Sequence, residues 1–278
     1  MSDLVGDFHD SIEIYYNETF ENLEMKNHFH NLNEIIYIIE GKAEFKINSK
    51  IYSASRGDII FISNLETHEL KVVKYPYKRY FILIDPGQFQ LLINQSILAS
   101  MFKHRPEHFR HVTSLEGNPG MEIREIIRKM HDEYLKKETF WEYNLGSYLY
   151  LLFVQLYRGY REAFPLSTLN SSTNMILDIQ KYVEQHYTEE ISLKDLSRKF
   201  YSNMFYVSHL FKKITGFTFK EYIILLRISK AKNLLFHTRE DVTSVSMSSG
   251  FNSVNHFIRI FKKYEGLTPY QYRKMRKI

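Results

Sequence analysis

The segment Phe211-Lys212-Lys213-Ile214-Thr215-Gly216-Phe217-Thr218 returns fifty residues later as Phe261-Lys262-Lys263-Tyr264-Glu265-Gly266-Leu267-Thr268, identical at five of eight positions. Each copy closes a short amphipathic run that follows a turn, Tyr201-Ser202-Asn203 in one case and Gly250-Phe251-Asn252-Ser253 in the other. Val207, Leu210, Phe211 and Ile214 recur at helical spacing, so the run from about Asn203 to Thr215 is expected to be a helix with one buried face. A repeat of this kind forces the last third of the chain into two copies of one small helical unit.

What precedes each copy completes the unit. Ser192-Leu193-Lys194-Asp195 has the spacing of a helix start, with Leu193, Leu196 and Phe200 behind it. Val242 to Ser248 stands in the same place before the second copy, whose helix is expected over Ser253–Glu265. Helix, short turn and second helix is the helix-turn-helix layout, in which the second helix enters the major groove of DNA. Thr218-x-x-Glu221 caps a connecting helix to about Phe236, roughly 27 Å long at 1.5 Å per residue. With its flanking turns it would set the two second helices about 34 Å apart, one turn of B-DNA. Thr268-Pro269 opens a last short helix.

Charge agrees with this layout. The 278-residue chain carries a net +5, unevenly placed. Residues 1–170 hold 19 Lys and Arg against 23 Asp and Glu, a net −4; residues 171–278 hold 18 against 9, a net +9. A basic helical third on an acidic body is the electrostatic footprint of a polyanion-binding module. There is no cysteine, which excludes disulfides and cysteine-ligated zinc. Met1 to Asp10 has no apolar signal-peptide core, and Leu145 to Tyr157 is too short to span a bilayer, so a cytoplasmic location without membrane contact is expected.

The first half has a different period. Glu34–Glu40, Ala43–Ile47, Asp58–Ile62 and Arg79–Ile84 are rich in β-branched and aromatic residues. Glu40-Gly41-Lys42, Asn48-Ser49-Lys50 and Arg56-Gly57-Asp58 read as turns between them, which points to an all-β barrel or sandwich. After about Gly120 the period becomes helical, and a second helix over Phe140–Arg161 carries Leu145, Leu149, Leu152, Phe153 and Leu156 on more than one face. Such a helix packs on the barrel wall or forms a dimer seam, and the seam is the expectation here. Pro165 to Asn174 is polar and Ser/Thr-rich, as a linker is. The expected fold is therefore α+β in two domains: a barrel over 1–115, a helical dimerisation or packing pair over 116–163, a linker over 164–174, and an all-α double helix-turn-helix domain over 175–278.

The motifs of that last domain are specific. Phe205-Tyr-Val-Ser-His-Leu-Phe-Lys-Lys-Ile-Thr-Gly216, Glu221-Tyr-x5-Arg227 with Ala231, Leu234 and Leu235, and Gly250-Phe-x5-Phe257-x-Arg259-x-Phe261-Lys-Lys-x2-Gly-x-Thr-Pro269-x2-Tyr272-Arg273 resemble the DNA-binding domain of AraC/XylS-family transcriptional regulators over about a hundred residues. The resemblance implies a bipartite domain on promoter DNA, often in an activator that contacts RNA polymerase. It puts base contacts on Phe205, Ser208 and His209 of the first unit and on Val254, Asn255, Ile258 and Arg259 of the second. Arg259 suits a bidentate contact to guanine, whereas His209 stands where the family commonly has arginine. Lys212, Lys213, Lys262 and Lys263 are expected on phosphates.

In the first half, His28-Phe29-His30-x3-Glu34-x6-Gly41 followed by Gly57-Asp58-x9-His68 resembles the two cupin motifs, so the barrel over 1–115 is expected to be cupin-like. Asn22 replaces the leading glycine, and Ser63 and Leu65 replace the second motif's proline and glycine. In cupin enzymes the four positions hold a metal. Here His28, His30, Glu34 and His68 are expected to line a pocket for a small polar effector such as a sugar, with no cofactor. The function expected is a ligand-responsive, non-enzymatic regulator acting as a homodimer on double-stranded promoter DNA. Two alternatives stand beside it: a metal-dependent cupin enzyme with an appended DNA-binding domain, and a regulator that needs no ligand.

Overall fold

The computed structural model describes residues 12–21, 23–87, 89, 98, 101–102, 109–164 and 171–274. They fall into two compact units that divide between residues 168 and 169.

The first unit is built on seven strands: β1 Ile12–Thr19, β2 Glu24–His28, β3 Asn33–Ile47, β4 Lys50–Ser55, β5 Asp58–Ile62, β6 His68–Ile84 and β7 Val112–Ser114. They form one antiparallel sheet of order β1-β6-β3-β5-β7, with β2 on β6 and β4 on β3. The two long strands serve two half-sheets. Residues 33–40 of β3 and 77–84 of β6 pair with β5 and β1, and residues 42–47 and 68–71 pair with β4 and β2.

Glu40-Gly41-Lys42, expected as a turn, instead lies inside β3, where the register with β6 slips between Ile38 and Ala43. Gly41 has φ +88°, and a Cβ there would meet Pro76 O at 2.5 Å and Lys74 O at 2.6 Å, so only glycine lets the strands bend together. The slip also shifts parity. Ile36 and Ile38 before the bend, and Ala43, Phe45 and Ile47 after it, are all buried.

Period-2 alternation feeds two apolar layers from one sheet. Ile12, Ile14, Ile35, Tyr37, Ile59, Phe61, Ile82 and Ile84 share a core with two helices, α1 Gly117–Lys136 and α2 Trp141–Gly159. Ile36, Ile38, Ile60, Ile62, Phe81 and Leu83 are as well buried but lie outside that core, on the opposite face. Leu145, Leu149, Leu152, Phe153 and Leu156 of α2 are buried in the sheet–helix core. This corrects the expectation of a dimer seam for these five: the wall of the sheet takes them, each stabilising the unit by roughly 1.5–3 kcal/mol. What α1, α2 and the Phe140 cap between them leave outside is Met121, Leu135, Phe140, Tyr143, Tyr150 and Leu151.

The second unit is helical: α3 Ser171–His186, α4 Leu193–Lys199, α5 Met204–Thr215, α6 Phe219–His237, α7 Val242–Ser248, α8 Val254–Glu265 and α9 Pro269–Lys274. α3 begins four residues inside the stretch expected as linker, because Thr173 is already buried on its inner face; residues 165–170 lie outside the described residues. The starts are chemically specified. Ser192 Oγ accepts from Asp195 N, Asn203 Oδ1 from Phe205 N, Asp241 Oδ1 from Ser244 N and Ser253 Oγ from His256 N. Thr218 and Glu221 form a reciprocal capping box, and Thr268 with Gln271 repeats it fifty residues on. Both recognition helices end in a left-handed glycine, Gly216 at φ +81° and Gly266 at +72°, whose N–H bonds Lys212 O and Lys262 O.

Candidate functional site

In the helical unit, α5 and α8 are held by their phenylalanines. Phe211 packs edge-on to Phe219 and Tyr222, at 5.6 and 5.4 Å between centroids, and Phe261 packs the same way on Tyr272 at 5.4 Å. With Val207, Phe211, Phe257 and Phe261 buried, the opposite faces are turned outward. Phe205, Ser208, His209, Lys212 and Lys213 are exposed on α5, and Asn255, Arg259, Lys262 and Lys263 on α8. Val254 and Ile258 are half-buried. Residues 205, 208, 209 and 212 follow i, i+3, i+4, i+7 spacing and so share one stripe; 255, 258, 259 and 262 repeat it. Each stripe offers hydrogen-bonding groups and apolar edges at its start and lysines at its end, next to the glycine cap.

Two exposed residues of this surface were not singled out in the sequence. Met204 is 39% exposed and occupies in α5 the place of Val254 in α8. Tyr201 is 98% exposed at φ +49°, the left-handed region that an aromatic residue rarely adopts. The fifty-residue offset identifies Met204; nothing in the sequence marks the conformation of Tyr201.

In the sheet unit, His28, His30, Glu34 and His68 come together. His28 ends β2 directly opposite His68, the first residue of β6. The His28 and His68 rings are 4.1 Å apart between centroids, and His30 is 5.0 Å from His68. Glu34 Oε2 lies 3.5 Å from Nε2 of both His30 and His68. The loop carrying His30 is fixed by Leu65 N bonding His30 O at 2.8 Å and Asn64 N bonding Asn33 Oδ1 at 3.1 Å. Leu65, fully buried, has φ +66°, which explains why the cupin motif has glycine at that position.

Each imidazole uses Nδ1 on a backbone carbonyl: His28 on Lys26 O at 2.8 Å, His30 on Leu32 O at 3.2 Å and His68 on Glu66 O at 2.9 Å. A carbonyl only accepts, so Nδ1 carries the proton and Nε2 keeps its lone pair in the neutral ring. Ligand atoms of the three histidines lie within 4.8 Å of one another. Burial and the neighbouring His68 and His30 push His28 down to about 3; burial and His30 lower His68 too. Burial alone would raise Glu34, but His30 and His68, which donate through Nε2 and carry charge when protonated, together with Arg79 hold it at about 2. The centre is thus rich in acceptors. Its residues fit a divalent cation, and they fit equally the hydroxyl donors of a polar ligand. Because the unfolded imidazole of His28 takes up its proton at higher pH than the folded one, stability is expected to fall as pH drops from about 6.5 toward about 3, measured by urea melts.

A sheet that buries an acceptor-rich cluster, together with two exposed helix stripes on a helix-turn-helix frame, defines a ligand-binding DNA-binding regulator. Family comparisons agree along the chain. The AraC-like ligand binding domain matches residues 12–153, and a helix-turn-helix domain matches residues 196–275. The chain belongs to the AraC family of transcriptional regulators. It is similar to the HTH-type transcriptional activator RhaS of Enterobacter sp. (strain 638), 25% identical over 90% of this chain and 87% of that protein. It is also similar to the HTH-type transcriptional regulator YdeC of Bacillus subtilis, 27% identical over 89% and 86%. In fold it resembles apo ToxT K231A of Vibrio cholerae, with a TM-score of 0.62 at 16% identity over 96% of this chain and 98% of that one. A further structure of that protein holds an unsaturated fatty acid. No helix among the described residues is long and apolar enough to cross a membrane.

Proposed function

We propose that the chain activates transcription as a homodimer, its two helix-turn-helix units reading promoter DNA and its sheet unit binding a small polar effector. The observation that carries this is the pair of exposed stripes, 205/208/209/212 and 255/258/259/262, on helices whose other faces are buried phenylalanine. Phe205, Ser208, His209, Val254, Asn255, Ile258 and Arg259 contact bases. Lys212, Lys213, Lys262 and Lys263 hold phosphates. Residues 1–115 bind the effector among His28, His30, Glu34 and His68, 116–163 carry the dimer surface through the apolar residues left outside, 164–174 connect, and 175–278 bind DNA and meet RNA polymerase in the cytoplasm. Selection of bound sequences from a random DNA library tests it. The expected outcome is an asymmetric half-site with two blocks about one helical turn apart. A library that yields no enriched sequence would refute it.

The Nδ1–carbonyl bonds favour a second occupant of the cluster. A divalent cation would be held by His28, His30, His68 and Glu34, and when bound would supply a Lewis-acidic anchor for an effector oxygen. Elemental analysis of the purified chain beside His28→Ala/His68→Ala decides: stoichiometric metal in the parent alone supports the cation, and none in either supports the metal-free pocket.

A further inference from the structure

One buried cation, on the sheet face away from α1 and α2, keeps two nitrogens without hydrogen-bond partners. Arg79 is 4% exposed, and its Nε and Nη1 have no hydrogen-bond partner. Its guanidinium lies 5.2 Å from the Tyr77 ring and 5.5 Å from the Phe81 ring, its neighbours on the same face of β6. The Tyr77 hydroxyl, also buried, has only the neighbouring Arg79 guanidinium to interact with, which counters part of the upward push of burial on the phenol. Across the sheet Arg79 stands opposite Ile38, which is fully buried, and Asn17. Two carboxylates share this face, one on each side of Leu83, and both are engaged elsewhere. Glu34 faces His30 and His68, and Glu13 accepts the Tyr15 hydroxyl. The Arg79 charge reaches Glu34 and helps hold that carboxylate down.

Unused donors on a buried guanidinium are expensive in a resting fold and useful in a ligand site. The two ends of this face have opposite needs. At the histidine end, the Glu34 carboxylate and the Nε2 lone pairs of the neutral rings accept. Two residues beyond Phe81, Arg79 and Tyr77 offer donors with nothing to receive them. Between the two lie Ile36 and Phe81, an apolar and aromatic wall.

We propose that the effector is a small hydroxy-carboxylate of the sugar-acid class. Its carboxylate takes the free N–H groups of Arg79 and the Tyr77 hydroxyl, and its hydroxyls donate to the cluster of His28, His30, His68 and Glu34. The proposal rests on the effector reading above and names the chemistry of that effector. A neutral sugar leaves the guanidinium unmatched. A plain alkyl carboxylate leaves the acceptor cluster unmatched.

The test uses the full chain at constant ionic strength and thermal unfolding as readout. Glucuronate, galacturonate and gluconate are compared with glucose, galactose and hexanoate. At least one of the acids is expected to raise Tm saturably, with hexanoate and the neutral sugars weaker by tenfold or more in apparent affinity. Arg79→Met should abolish that response, and Arg79→Lys should keep part of it. Without any added compound, Arg79→Met is expected to melt no lower than the parent, because it removes a buried guanidinium with two unmatched nitrogens. A lower melting temperature for Arg79→Met would make Arg79 a structural residue and overturn the proposal. So would a panel in which no acid shifts Tm, or in which the neutral sugars act equally. DNA selection with the parent chain separates the two readings: enriched DNA with no acid response in the parent defeats only the effector assignment, whereas failure of the parent to enrich any DNA defeats the regulator reading itself.

Discussion

The two helix-turn-helix units repeat each other in sequence and differ in bracing. Their first helices are capped 49 positions apart, at Ser192 and Asp241, while the recognition helices begin 50 apart, at Met204 and Val254. The second turn is therefore one residue longer. Its left-handed position is Gly250, whose absent Cβ would sit 2.6 Å from Thr188 Cα and 2.8 Å from Thr188 O. In the first turn that position is Tyr201, with its side chain in solvent. Glu265, at the end of α8, pairs with Lys232 of α6 at 3.1 Å, the two side chains only 10% and 15% exposed; the matching residue of α5 is Thr215, bonded to its own helix at Phe211 O. Arg227 ties the same region further, donating to Tyr187 O at 2.7 Å and Glu189 O at 2.8 Å beside the Phe251 ring. The unit that carries Arg259 is clamped to the domain. The unit that carries His209 is tied instead by exposed contacts, Tyr206 Oη to Ser172 Oγ at 2.8 Å and Lys199 over the Tyr182 ring, so the second unit is expected to set the position on DNA and the first to add to it.

Breaking the clamp should have the largest effect. Lys232→Ala leaves Glu265 without its partner in a buried site and is expected to cost about 3 kcal/mol in chemical denaturation of the full chain. Lys232→Met/Glu265→Leu should recover most of that loss, since an apolar pair of similar volume needs no desolvation. A single-variant loss below about 1 kcal/mol, typical of a solvated pair, would remove the ion pair from the comparison. Gly250→Ala comes next. It combines left-handed strain with backbone overlap on Thr188, for about 2–4 kcal/mol. Tyr201→Gly at the equivalent place should be neutral or stabilising by up to about 1 kcal/mol, because its αL backbone is relaxed and no buried contact is lost. If the same change weakens DNA binding, the exposed ring belongs to the interface.

At the DNA surface the asymmetry should appear as unequal dependence on the two readers. Arg259→Ala is expected to cost about 1–3 kcal/mol on the selected sequence and to relax discrimination at one base pair. His209→Ala should cost less, a neutral imidazole having one donor where arginine has a fork. Fluorescence anisotropy on the selected and a scrambled duplex measures both. Equal losses on the two duplexes for Arg259→Ala would withdraw its base contact, and a larger loss for His209→Ala would reverse the order of the units.

Much of this frame is legible in the sequence because it is local. Capping residues at Ser192, Asp195, Thr218 and Glu221, and the glycines at 216 and 266, specify their helix ends with partners three or four residues away. The four-residue cluster around His68 is legible for another reason: strand pairing brings a motif of fixed spacing into register. What escapes is decided by distant backbone. Gly41 reads as a turn because its closest neighbours, Lys74 and Pro76, are more than thirty residues away. Leu145 and its companions on α2 read as a free seam because the apolar face that covers them comes from strands beginning at Ile12. The extra residue of the second turn is masked by the fifty-residue repeat, which starts only after it. Arg79 carries no sign of burial in its own sequence, since the parity of β6 is set at the bend.

The smallest expected effect also tests the comparison most directly, through salt. A lysine that meets a phosphate releases about one counterion, so its removal lowers the slope of log K against log salt by about 0.9. Lys213 and Lys263 are equivalent by the repeat, both exposed in the last turns of their helices. If both units dock on successive grooves, Lys213→Ala and Lys263→Ala each shift the slope by the same amount and the double variant by twice that. Docking led by the clamped unit predicts a full shift for Lys263→Ala and a fractional one for Lys213→Ala, because the freer helix spends part of its time off the backbone. Titrations at four or more salt concentrations resolve a difference of half a counterion. An equal pair of slopes would show that the bracing of the second unit serves stability alone.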